Sequence, residues 1–65
     1  MPYARNADLP ANVRNTLPDA AQTLFRRVVN AALARGDSEE SAFRQAWATV
    51  SEHYEKPENG GKWVA

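Results

Sequence analysis

Sixty-five residues are enough for one domain and no more, and twelve of its apolar residues, 43 % of the chain in all, are alanines, so few large side chains remain to build a core. Eight basic and eight acidic residues cancel to zero net charge, which removes any bulk field toward nucleic acid or anionic lipid. With zero cysteines, neither a disulfide framework nor a thiolate metal site can stabilise the fold, which leaves helix packing or association to do so.

The start, Met1-Pro2-Tyr3-Ala4-Arg5, has no apolar segment behind its charge. The longest apolar-rich run, Val28 to Ala34, is broken by Asn30 and is far shorter than the roughly 20 residues that span a bilayer. A soluble, cytoplasmic protein is expected. The first punctuation is Asp8-Leu9-Pro10, where Asp8 can accept backbone hydrogen bonds and Pro10 suits a first turn, and a short helix is predicted from Leu9 to Asn15. Leu9, Val13 and Leu17 form its single stripe. Leu17-Pro18 with Asp19 repeats the start signal, so a second helix is predicted from Pro18 to about Arg35. Leu17, Ala21, Leu24, Val28, Ala31 and Ala32 share one face of it, widened by Phe25, Val29 and Leu33.

Gly36 can take the left-handed conformation that closes this helix, and Asp37-Ser38-Glu39-Glu40 opens the next, with Asp37 as cap and Glu40 three residues on. The third helix carries Ala42, Phe43, Ala46, Trp47, Val50 and Tyr54 on one flank and ends before Pro57. Asn59-Gly60-Gly61 is turn chemistry that can reverse the chain. Trp63 is then expected to fold back beside Tyr3, with a brief strand pairing of the two termini. The predicted fold is all-α: one domain over residues 1–65, three helices with a short first one, and a core of Leu17, Leu24, Phe25, Val28, Phe43, Trp47, Val50, Tyr54 and Trp63.

Candidate chemistry is sparse. His53, with Glu52 and Glu55 near it, lacks the second imidazole or spaced nucleophile that a base or metal site needs, and reads as a solvated histidine. Asp37, Glu39 and Ser41 mimic the start of a calcium loop, but Ala42 stands where the turn glycine belongs and Ala48 where the bidentate acid belongs. Asn59-Gly60-Gly61-Lys62 lacks the spacing of a phosphate loop. Phe25, Phe43, Trp47 and Tyr54 could be taken for a base-stacking platform, but in so small a domain they are needed as core. No enzyme, cofactor or metal is expected.

Charge distribution is more informative. Residues 1–36 hold five arginines against Asp8 and Asp19, a balance of +3, and residues 37–65 carry the compensating −3. Part of this asymmetry is accounted for if the two long helices pack antiparallel. The functional reading is a basic face, Arg14 with Arg26 and Arg27, that meets an acidic partner or a phosphate backbone.

The residues Met1-Pro2-Tyr3, Asp8-Leu9-Pro10 with Val13, Leu17-Pro18 with Ala21-Gln22, Phe25 and Asn30, Ala46-Trp47-Ala48 with Val50 and Tyr54, and Lys56 with Lys62-Trp63 resemble, in order, the ChaB-like family. These are small bacterial proteins, with viral relatives, labelled as cation transport regulators. The resemblance implies a mainly helical domain and a cytoplasmic adaptor role at a sodium or calcium/proton antiporter, and it carries over no catalytic residues. The chain departs from the pattern in having only Gly36-Asp37 between its long helices, where many members have a longer charged insertion, and in ending at Ala65 without a basic tail. Two functions follow: a peripheral regulator docking on a transporter or another protein, and, as the alternative, an accessory nucleic-acid-binding protein with weak, salt-dependent affinity through Arg14, Arg26 and Arg27.

Overall fold

A computed structural model describes residues 2–65; Met1, the first residue of the Met-Pro-Tyr match, lies outside them. Among the described residues a 3₁₀ turn, Asn6–Asp8, precedes three α-helices: α1, Ala11–Thr16, α2, Asp19–Ala34, and α3, Glu39–His53. The principal interface lies between α2 and α3, and α1 and the 3₁₀ turn pack on α2.

Both Leu-Pro pairs have the same construction. A residue before proline is excluded from the helical region, so Leu9 and Leu17 are extended, at φ −69°, ψ 153° and φ −111°, ψ 141°. Each leucine is driven into the core, 2 % and 0 % exposed, and the proline after it is the N-cap of the next helix. The first helix therefore begins at Ala11 and not at the expected Leu9. Asp8 does not cap it: its carboxylate accepts the Arg5 backbone N–H at 3.2 Å, within the preceding turn.

Gly36, at φ +96°, closes α2. The Gly36 N–H donates to the Leu33 carbonyl and the Asp37 N–H to the Ala32 carbonyl, each at 3.0 Å, which is a Schellman closure. Because Asp37 belongs to that closure, the cap of α3 shifts by one residue from the expected Asp37 to Ser38, whose hydroxyl accepts the Ser41 N–H at 3.1 Å.

The inward stripe of α2 is Ala21, Phe25, Val29 and Ala32, facing Ala42, Ala46 and Val50 of α3. Of the expected core, Leu17, Phe25 and Val50 are buried, while Leu24, Val28, Phe43, Trp47, Tyr54 and Trp63 are half-buried around it. Ala31, expected on the core face, is exposed. The helix is turned because two amides, Gln22 and Asn30, lie on the buried side, 5 % and 6 % exposed. Each satisfies main-chain groups of the preceding chain, which makes its burial tolerable. Gln22 Nε2 donates to the Leu17 carbonyl at 2.8 Å, fixing the corner between α1 and α2. Asn30 Nδ2 donates to the Tyr3 carbonyl at 2.9 Å while its Oδ1 accepts the Tyr3 N–H at 3.2 Å.

Five aromatic rings then form one row. Tyr3 meets Phe43 at 6.1 Å between centroids, Phe43 meets Phe25 at 5.3 Å, Phe25 meets Trp47 at 4.9 Å and Trp47 meets Trp63 at 5.6 Å. The first three contacts are edge-on, the arrangement favoured by ring quadrupoles. Tyr3 and Trp63 thus stand at opposite ends of the row, and the expected pairing of the two termini gives way to a different one. The single antiparallel bridge among the described residues joins Glu55 to Val64, so the C-terminal segment pairs with the chain leaving α3. The Trp63 N–H donates to the Thr16 carbonyl at 2.9 Å, tying that segment to the end of α1.

Candidate partner-binding face

The three arginines singled out in the sequence fall in different settings. Arg14, in the last turn of α1, donates from Nε to the Leu9 carbonyl at 2.8 Å, so its guanidinium braces the turn that precedes its own helix. Arg26 reaches back to the N-terminal segment: Nε donates to Asn6 Oδ1 at 3.0 Å and Nη1 to the Ala4 carbonyl at 3.4 Å. Asn6 is held in turn by Thr23 and by the Asp19 carbonyl. Arg27 is exposed and forms no hydrogen bond or ion pair among the described residues.

Arg26 and Arg27 together line a shallow recess of about 270 Å³ on α2, with Asn30, Ala31 and Ala34. Alanine makes its floor apolar, and no carboxylate lines it. Arg14 is not among the lining residues, so the geometry gathers two of the three cations and leaves the third apart. Much of the remaining surface charge is neutralised locally. Arg5 pairs with Asp8 at 3.4 Å, Arg35 with Asp37 at 2.8 Å and Arg44 with Glu40 at 3.2 Å. Hydrogen bonds from Gln45 and Arg35 hold the Asp37 carboxyl below its usual range. Partial burial, with Glu39 adding to it, raises the Tyr3 phenol above its ordinary value.

His53 occupies the last turn of α3 and is exposed. Among the described residues no group of three or more histidines, cysteines or carboxylates comes together as a metal site. The Gly61 N–H donates to Asn59 Oδ1 at 2.9 Å, an Asx turn that uses the amide a phosphate would need. Three side chains to which the sequence assigned no structural role have one here: Asn6 holds Arg26, Gln22 fixes the α1–α2 corner and Asn30 holds Tyr3, the last two having appeared only within the family resemblance. The signal available for the last two was their position between apolar neighbours on the inner side of α2.

Fold and site together define a small all-α domain whose free cation and apolar strip lie side by side on one outer helix face. No helix of the described residues is long and apolar enough to cross a membrane. The ChaB family model matches residues 9–65, and the chain belongs to this family. Proteins of Escherichia coli strain K12, Escherichia coli O157:H7 and Shigella flexneri, each called "Putative cation transport regulator ChaB", are 36 % identical over 73 residues, covering 97 % of this chain and 95 % of theirs. The 73 aligned positions exceed the 65 residues of the chain, so these relatives carry residues with no counterpart here. No solved structure matches the chain.

Proposed function

We propose that this chain is a non-enzymatic cytoplasmic adaptor that regulates cation transport by docking on a sodium or calcium/proton antiporter. Its contact face is the Arg26–Arg27 recess of α2. The observation that carries this reading is the match to proteins called cation transport regulators along 97 % of the chain. The face supports it physically. Arg27 has no partner among the described residues, and Ala31 and Ala34 beside it let another helix approach closely. An acidic protein surface meets both requirements, a free cation and a floor without bulky side chains.

The experiment is cation/proton exchange measured in everted membrane vesicles with and without the purified protein, across sodium, calcium and pH. A change in exchange rate under at least one condition is expected. Equal rates under every condition would overturn the proposal.

A further inference from the structure

A second recess lies at the Trp63 end of the aromatic row. A recess of about 220 Å³ opens between Trp47 and Trp63, bordered by Asn15 and Thr16 from the end of α1 and by Lys56, Gly60 and Gly61 from the C-terminal hairpin. We propose that this recess, walled by the Trp47 and Trp63 indoles and carrying Lys56 at its edge, is a binding site for a planar aromatic carboxylate.

Two observations converge on that chemistry. The indoles meet at 5.6 Å and an interplanar angle of 48°, so they open a wedge and do not stack shut against each other. A flat ring is the shape that offers both walls contact at low entropic cost. Lys56 forms no ion pair among the described residues, although Glu55 precedes it in the chain and Glu58 lies two residues on. A carboxylate gives that ammonium the counter-charge it lacks.

Size narrows the class further. Sites for drug-sized ligands run from roughly 300 to 1,000 Å³, so this recess takes one ring with its carboxyl group and little else. Gly60, on the rim, sits at φ +76°, the left-handed conformation that favours glycine. The site is independent of the α2 face, because none of its lining residues is shared.

The test uses the full chain labelled with ¹⁵N, following the two indole N–H signals. Benzoate should shift both signals saturably, with a Kd of about 1 to 10 mM for so small a ligand. Benzamide, of the same shape without the charge, should bind about fivefold more weakly. Lys56→Gln should bring benzoate to the benzamide level with an unchanged melting curve, since Lys56 is exposed. Equal binding of benzoate and benzamide, shifts that fail to saturate or that sodium chloride reproduces, or an unaltered affinity in Lys56→Gln would overturn the proposal. A short peptide ending in phenylalanine, with a free or amidated C-terminus, identifies the source. Tighter binding of the free-acid peptide than of benzoate supports a partner's chain end as the carboxylate, and tighter binding of benzoate supports a small free acid.

Discussion

Asn30→Ala removes a side chain whose two ends grip one residue on the other side of the fold. Nδ2 donates to the Tyr3 carbonyl at 2.9 Å and Oδ1 accepts the Tyr3 N–H at 3.2 Å, across 27 residues of chain. Each lost bond costs about 1 kcal/mol net. Releasing Tyr3 also loosens its edge contact with Phe43, 6.1 Å between centroids, at about 0.5 to 1.5 kcal/mol. Alanine returns about 0.5 kcal/mol in helix propensity, so the net loss is about 2 to 3 kcal/mol. A domain of this length has only about 3 to 10 kcal/mol in total. Urea unfolding followed by tryptophan fluorescence measures it: with m near 1 kcal/mol/M, the midpoint should fall by about 2 to 3 M. Tyr3→Ala is the companion variant. Asn30 holds the main chain of Tyr3, so that change forfeits the ring but keeps both bonds, and it should cost less than Asn30→Ala. A midpoint for Asn30→Ala within about 0.3 M of the parent, or Tyr3→Ala as damaging as Asn30→Ala, would refute the two-point grip.

Trp47→Ala takes out the ring that touches both Phe25 and Trp63 and should cost about 3 to 5 kcal/mol; a cooperative melt close to that of the parent contradicts its place in the packing. Ser38→Ala should destabilise by about 1 kcal/mol through loss of the α3 cap, measured by thermal unfolding, and the same loss from the conservative Ser38→Thr would argue against a capping role. The Asp37 carboxyl lies low chiefly through its hydrogen bond from Gln45 and then that from Arg35, so these bonds contribute stability above the ordinary aspartate range and lose it as pH falls through the lowered value. In Gln45→Ala the Asp37 titration midpoint, read by carboxyl NMR, should rise toward that of a free aspartate, and an unmoved midpoint removes Gln45 as the cause.

Much of the fold is legible because its punctuation is local. The Leu-Pro pairs, Gly36 and the polar run after it act through sterics and hydrogen bonds within a few residues, and the long helices begin within a residue or so of the expected positions, whereas α3, expected to carry Tyr54 and end before Pro57, stops at His53 with Tyr54 extended. Details that depend on distant partners are not legible. The stripe of α2 turns inward on Phe25 and Val29 because Gln22 and Asn30 find main-chain acceptors in α1 and at Tyr3, and no pattern of apolar spacing announces those partners. The same reason separates Tyr3 from Trp63: Asn30 fixes one at the Phe43 end of the aromatic row, and the Thr16 carbonyl fixes the other at the Trp47 end. For the site, composition identifies the arginines but not their engagement. Arg14 and Arg26 are tied to backbone or amide oxygens, which leaves Arg27 as the cation free to meet another molecule.

Arg27→Glu therefore probes the proposed regulator most directly, because Arg27 has no partner whose loss would unfold the chain. In everted vesicles carrying the antiporter, the parent protein should alter cation/proton exchange while Arg27→Glu, with the same melting curve, should leave the rate at the level of vesicles alone. An Arg27→Glu protein as effective as the parent, or a parent with no effect, would contradict regulation through this helix face.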